Sequence, residues 1–382
     1  MKRIAIWTLA ALAAALLALT GCTKKEQAGE GTIKIGIAGP ITGPYATFGE
    51  QLVKGTELLA ERINAAGGIN GRTIEIVQGD DQCDPKQARS VANRMVSDKV
   101  IAVVGHFCSS STIPASEVYS ENNLLMITPA STNPQVTERN LSTVFRTCFR
   151  DDQQGNYAGD YIANTLKPKA VAIIHDKDTY GQGLADATRA RLKDAHGIEA
   201  KLYEGVTRGD KDFNSLVTKM KGLGIDIVYF GGLHSEAALI VRQMREQGMN
   251  ATTFMSGDGV ATDEFAQLAG DSSQGALNTF AADPSRLDSA KSVVDAFRAK
   301  NYEPVGFTLY SYAAAEVIVA ALQANGASPD GKALGAWLHG NSVNTVLGPV
   351  EWDDKGDPKV APLGIWEWQK GADGKFHSVQ IK

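Results

Sequence analysis

Beyond residue 31 the chain alternates two kinds of segment. Short β-branched runs at 32–38 (TIKIGIA), 73–77, 100–104, 124–127, 144–146, 170–174, 225–230 and 253–255 read as strands. Several are apolar throughout, the pattern of strands covered on both faces. Between them, 49–66, 85–97, 113–121, 154–166, 182–195, 213–221 and 235–247 read as helices. Gly67-Gly68 and Gly248 stand where a helix stop needs positive φ. Repeated strand-helix-strand order predicts parallel sheets with right-handed crossovers and helices on both faces. The series runs twice, once up to Arg146 and again from Gln154 to about Phe280. Helical segments at 287–300 and 309–324 then return to a lobe already built, and a hairpin-like pair, 348–352 with 364–368, closes the chain. Periodicity leaves open which lobe receives these last segments.

The first residues follow neither pattern. Lys2 and Arg3 precede an uncharged Ala- and Leu-rich run that ends in Leu19-Thr20-Gly21-Cys22. This is an export signal, too short for a comfortable membrane span. Its last residues resemble the lipobox of bacterial lipoproteins, which implies cleavage after residue 21, lipidation of Cys22 and a tether over 22–31; plain secretory cleavage nearby is the alternative. No later stretch is apolar enough to span a bilayer, so the exported chain is expected on one side of the membrane.

The chain has 382 residues, 43% of them apolar and 21% charged, an ordinary globular composition with room for two domains. Net charge is −5, and loss of Lys2 and Arg3 with the leader makes it −7, so no basic footprint for nucleic acid exists. Four cysteines are too few for a disulfide scaffold. In an oxidising compartment Cys83 and Cys108 can be read as a bridge, and Cys148 as a buried thiol on an apolar strand or, less economically, an intermolecular link. The six histidines include no pair at metal-ligand spacing, and nothing points to a cofactor. Gly181-Gln182-Gly183 opens a helix, but Asp186 occupies the third glycine position of a dinucleotide fingerprint.

Four loops at strand ends carry the candidate chemistry: 39–49, 105–112, 128–132 and 255–259. The Ser-rich run Ser109-Ser110-Ser111-Thr112 at a helix start offers hydroxyls, free backbone N–H groups and a positive dipole end, suited to a carboxylate or phosphate. Ordinary capping is the competing reading. Ligands of parallel α/β sheets sit beyond the carboxyl ends of strands, where all four loops lie.

These loops also carry collinear motifs: GPITGPYATFG (39–49), GDDQCDPKQA (79–88), VGHFCSSST (104–112), MITPAST (126–132), HDKDTYGQGLA (175–185), GDKDFNSLV (209–217) and NTVLGPVEWDDKGD (344–357). In them the chain resembles the leucine/isoleucine/valine-binding protein family of bacterial ABC importers. The resemblance implies a type I periplasmic binding fold: α/β, two doubly wound parallel-sheet lobes joined by a three-strand hinge. The lobes would be 32–150 plus 280–356, and 151–279 plus 357–382. It implies a non-enzymatic monomer that closes on a small-molecule amino acid and delivers it to membrane permease subunits.

Carried over residue by residue, the resemblance gives Ser109 and Thr132 the ligand α-carboxylate, with Ser131 beside them. The Ala130 carbonyl and the Asp258 carboxylate would take the α-ammonium, and Tyr180 would reach across from the second lobe. Phe48, Phe107, Cys108 bridged to Cys83, and Phe307 would line the side-chain pocket. Three positions depart from the family pattern: Asp258 replaces Glu, and Leu233 and Phe48 replace Tyr. The pocket is therefore expected to be at least as apolar as its relatives', without ranking Leu, Ile and Val. Amides, urea or other amino acids remain alternatives within the fold. A sensory module, and a hydrolase built on Ser109 to Ser111 with His106, remain alternatives outside it.

Overall fold

A computed structural model describes residues 31–382. The expected leader, Cys22 and nearly all of the tether lie outside the described residues. The first series comprises β1 (Thr32–Gly39), α1 (Ala46–Ala65), β2 (Thr73–Asp80), α2 (Pro85–Ser97), β3 (Ala102–Gly105), α3 (Ser109–Glu121), β4 (Leu125–Thr128) and β5 (Val144–Arg146). Its five strands form one parallel sheet in the order β2-β1-β3-β4-β5. The second series comprises α4 (Asp151–Tyr161), β6 (Val171–His175), α5 (Thr179–His196), β7 (Leu202–Gly205), α6 (Asn214–Gly222), β8 (Ile227–Gly231), α7 (His234–Glu246), β9 (Thr253–Ser256), α8 (Asp263–Ala269) and β10 (Leu277–Ala281). The chain then adds α9 (Lys291–Ala299), α10 (Thr308–Ala324), α11 (Gly331–Gly340), β11 (Val343–Thr345), β12 (Gly348–Val350), β13 (Leu363–Lys370) and β14 (Phe376–Gln380).

The second sheet has the order β14-β13-β10-β9-β8-β6-β7. It is parallel from β10 to β7, with β13 and β14 joining antiparallel at its edge. The expected hairpin between 348–352 and 364–368 does not form. Gly348–Val350 instead pairs with Val343–Thr345, because the tight Val346-Leu347 turn places that strand next in space. Residues 364–368 pair with β10 and β14. The α11 segment did not stand out in the sequence pattern, its first and last residues both being glycine.

Side-chain alternation explains the layers. In β3 and β4, Ala102, Val104, Leu125 and Ile127 face a core shared with α1, α9, α10 and α11, while Val103 and Met126 face α2 and α3. In β6 and β8, Val171, Ile173, Ile227 and Tyr229 face α4 and α5, and their neighbours Ala172, Ile174, Val228 and Phe230 face α6, α7 and α8. The returning helices thus cover the first sheet, and β13 and β14 extend the second, so the chain passes between lobes three times.

Local signals set the element ends. Asp84 caps α2 by accepting from the backbone N–H groups of Lys86 and Gln87 at 2.9 and 2.8 Å, with Pro85 at the first helical position. Gly67 (φ +101°) and Gly248 (φ +83°) end α1 and α7 in Schellman motifs, where Gly68 and Met249 donate back to Ile63 and Met244. No helix among the described residues is long and apolar enough to cross a membrane.

Candidate functional site

The carboxyl ends of both sheets face one another across a cleft. On the first lobe, α3 begins at Ser109 rather than at Ile113, so the serines form its first turn instead of a preceding loop. Pro114 lies inside α3, in its second turn, where it cannot supply the N–H that would bond the Ser110 carbonyl. Cys108 occupies the N-cap without a side-chain cap, leaving the first N–H groups of α3 to other partners. A disulfide joins Cys108 to Cys83, with Cα atoms 5.4 Å apart, and ties the ends of β3 and β2 together.

Under this loop lies a wholly buried polar chain. His106 Nδ1 is 2.6 Å from Asp81, and its Nε2 is 3.0 Å from the Tyr119 hydroxyl. Both ring nitrogens are therefore engaged away from Ser109, whose hydroxyl accepts from the Asn133 N–H at 3.3 Å. The base–nucleophile contact that a hydrolase needs is not formed by these residues.

The 128–132 loop is folded by Thr128, whose hydroxyl donates to the His106 carbonyl at 2.7 Å and accepts from the Ser131 N–H at 2.9 Å. Ser131 turns its hydroxyl inward onto the His106 and Phe107 carbonyls, so it braces the loop and does not line the cleft. Arg146, fully buried at the end of β5, clamps the same loop. It donates to the carbonyls of Ser131 and Asn133 at 2.7 and 3.2 Å and pairs with Asp357 at 2.6 Å. Sequence reasoning passed over Arg146; a lone charge ending an apolar strand was the available clue. Cys148 lies in the crossover just past β5 rather than in a strand, and is buried.

On the second lobe, Asp178 caps α5 and fixes Tyr180 in its first turn. The close approach of α5 to β8 explains the glycines that resembled a nucleotide fingerprint. A Cβ on Gly181 would lie 2.5 Å from the Gly231 carbonyl oxygen, and one on Gly183 would lie 2.6 Å from Asn133 Nδ2 of the opposite lobe. Asp258 follows β9, is 3% exposed, and accepts from the Tyr180 hydroxyl at 2.8 Å. Burial pushes its carboxyl up to about 6, partly offset by hydrogen bonds from Tyr180 and Gln154. Asp151 is also buried, and burial together with the charge of Asp258 holds its carboxyl well above the usual range. Its backbone N–H donates to the Thr132 carbonyl, and the Thr132 hydroxyl has no partner among the described residues.

Between the lobes is a small cavity lined by Phe107, Cys108, Ser109, Ala130, Tyr180, Leu233 and Asp258. Phe48 and Phe307 stand one layer behind: Phe48 stacks on Phe107 at 4.3 Å, and Phe307 meets it edge-on at 5.4 Å. Thr132 and Ser131 lie behind the wall, and Cys83 reaches the cavity only through Cys108. Its lining combines hydroxyl and helix N-terminal donors at Ser109, acceptors in the Asp258 carboxylate and the Ala130 carbonyl, and apolar surface from Phe107, Cys108 and Leu233. No metal-binding cluster of His, Cys, Asp or Glu occurs among the described residues.

The lobes are closed on this cavity. Thr47 and Thr262 share a hydrogen bond at 2.8 Å, and Asn133 Nδ2 donates to the Thr179 carbonyl at 2.9 Å. His234 is wedged against Phe48 and Tyr45, with ring centroids 5.3 and 6.1 Å away, and the Arg208 guanidinium lies over Tyr45 at 5.4 Å. Burial drives the His234 imidazole down to about 4. His234 and Tyr45, flanking predicted residues, were not singled out from sequence.

Comparison with known proteins agrees with this architecture. The profile of the periplasmic binding protein family matches residues 32–375. An amino acid binding protein of Pseudomonas aeruginosa is 59% identical over 350 residues, covering 91% of this chain and 92% of its own. A Leu/Ile/Val-binding protein homolog of Brucella abortus is 48% identical over 348 residues, covering 91% and 93%. The crystal structure of the branched-chain amino acid transporter substrate-binding protein LivJ of Streptococcus pneumoniae, in complex with isoleucine, superimposes with a TM-score of 0.81 at 29% identity, covering 91% of this chain and 99% of that one.

Proposed function

Since the chain belongs to the periplasmic binding protein family, we propose that it is the extracytoplasmic solute-binding component of an ABC importer, taking leucine, isoleucine or valine between its lobes. One observation carries the ligand assignment: a small cavity between the lobes lined by both the uncapped start of α3 and the buried Asp258 carboxylate, with apolar side chains beside them. That polarity matches a zwitterion with an aliphatic side chain. The Ser109 hydroxyl and α3 N–H groups would hold the α-carboxylate, with the unpartnered Thr132 hydroxyl supporting them. Asp258 and the Ala130 carbonyl would accept from the α-ammonium, while Phe107, Cys108 and Leu233 surround the side chain.

Binding needs no bond chemistry. A ligand seated on Ser109 and Ala130 gains Tyr180, Leu233 and Asp258 only when the second lobe arrives, so it favours closure by that difference in affinity. The permease would recognise the closed monomer, held at the outer face of the membrane by a lipid on Cys22. Calorimetry on protein unfolded and refolded to strip bound ligand tests the reading. Heat with a one-to-one endpoint is expected for at least one of the three amino acids; silence with all three, alongside heat from another solute, moves the ligand to that solute within the same fold.

A further inference from the structure

Apart from the central cavity lies a larger cleft, of about 350 Å³. Its floor is one face of the β10–β13 pair. Asn278 and Trp366 are direct cross-strand partners, and residues two apart share a face, which sets Phe280 and Trp368 on the same side. Its opposite wall is the 303–306 stretch and Leu309 of the first lobe.

Two polar groups on this floor have nothing to bind. Asn278 is 1% exposed, and neither its Oδ1 nor its Nδ2 has a hydrogen-bonding partner among the described residues. Trp368 is equally buried, and its Nε1–H is likewise unpartnered. Buried polar groups are nearly always satisfied, and both residues border the cleft, Trp368 with its ring also packed on Phe265. Trp366, by contrast, donates its Nε1–H to the Ala281 carbonyl at 2.9 Å and leaves its ring for contact. Of the carboxylates lining the cleft, Asp283 is engaged by Ser285 and Arg286 and Glu303 by Arg298, while Asp263 adds a further one. With no Lys or Arg in its lining the cleft disfavours an anion, and its floor offers neutral groups and aromatic surface.

We propose that the cleft is a second ligand site, for an uncharged planar aromatic amide or lactam. The Asn278 side chain presents a donor and an acceptor in one plane, which a group carrying an acceptor beside a donor satisfies twice. Trp368 donates to a further acceptor, and Phe280 and Trp366 supply the surface on which a flat ring packs. Both lobes contribute walls, so the occupant bridges them at a point separate from the amino-acid cavity.

Nicotinamide is the probe, followed by calorimetry and tryptophan fluorescence on the purified full-length protein. Saturable millimolar binding is expected, weakened about tenfold or more in Asn278→Leu, and in Ser285→Trp, which plugs the rim without touching the floor. Toluene, flat but without the amide, should not saturate. Far-ultraviolet circular dichroism and the unfolding midpoint establish that each variant is folded; if Asn278→Leu is not, Ser285→Trp decides. No binding at tens of millimolar, or binding unchanged in the folded variants, overturns the proposal.

Discussion

The Tyr180 hydroxyl donates to Asp258 Oδ1 at 2.8 Å and accepts from the Gly259 N–H at 2.9 Å. One phenol thus fixes the position of the carboxylate and of the backbone just beyond it. A carboxylate so held cannot swing toward water when a ligand leaves, and burial then raises its proton affinity.

Asp258→Ala should weaken amino acid binding by roughly 2–5 kcal/mol, the cost of leaving a buried charge without its partner. Tyr180→Phe should cost about 1.5–3 kcal/mol, a hydrogen bond to a charged group. Calorimetric titration of each variant reads both effects; an unchanged dissociation constant for Asp258→Ala removes that residue from the site.

Acid should weaken binding through Asp258. With its carboxyl at about 6 in the closed protein, the group is ionised above that pH and neutral below it, and only the ionised form attracts an ammonium. Affinity should therefore be flat above pH 7 and fall as pH drops through 6. The same raised carboxyl acts on stability with the opposite sign: its neutral form is favoured by folding below about 6, and that contribution fades as pH rises. Affinities measured from pH 4.5 to 8 test the trend, and Asp258→Asn should remove this part of it.

His234 should add a second acid-sensitive step. Closure holds the imidazole at about 4, whereas exposed in an open cleft it returns toward about 6.5. Above 6.5 it is neutral in both states and costs nothing. Between 6.5 and 4 the open state gains a proton that the closed state refuses, so closure weakens as pH falls through that window. Glu264, 3.3 Å from Nε2, opposes this only partly. His234→Phe should keep its affinity at pH 7.5 and show a shallower loss at pH 5; an identical pH profile would falsify the wedge.

Gly183→Ala should separate closure from folding. The added methyl meets Asn133 Nδ2 of the other lobe at 2.6 Å, and Gly183 lies within α5, where Ala is the better helix former by about 1 kcal/mol. Ligand affinity should drop about tenfold, by an overpacking cost of roughly 1–3 kcal/mol, while the unfolding midpoint of the ligand-free protein holds or rises. A lowered ligand-free midpoint would place the clash inside one lobe.

Replacing Cys83 and Cys108 together by Ser should lower stability by roughly 3 kcal/mol, the chain-entropy value for a loop of this size. Denaturant unfolding with and without ligand reads it.

Much of this molecule is legible locally. Apolar runs such as 170–174 declare strands buried on both faces, and Gly67 and Gly248 declare helix ends, because each needs only its neighbours. Pairing between distant segments is different: nothing within Gly348–Val350 says that it joins Val343–Thr345 and not β13. In the site, Ser109, Ala130, Tyr180 and Asp258 sit just past strand ends, in loops or first helical turns, a position that sequence order predicts. Arg146, His234 and Tyr45 escape because their roles arise from contacts between segments some 13 to 211 residues apart in the chain. Ser131 shows the converse, a residue in the right loop whose hydroxyl faces the wrong way.

Thiol–disulfide exchange is carried by thiolate, and a free thiol near a bridge is a standing competitor for its partners. Cys148 is fully buried, and burial pushes its thiol up to about 12, so at pH 7 it stays a thiol. Once folded, the protein keeps Cys83 paired with Cys108 by chemical inertness as well as by stability, and it can pass through an oxidising compartment without rearranging the wall of its own pocket.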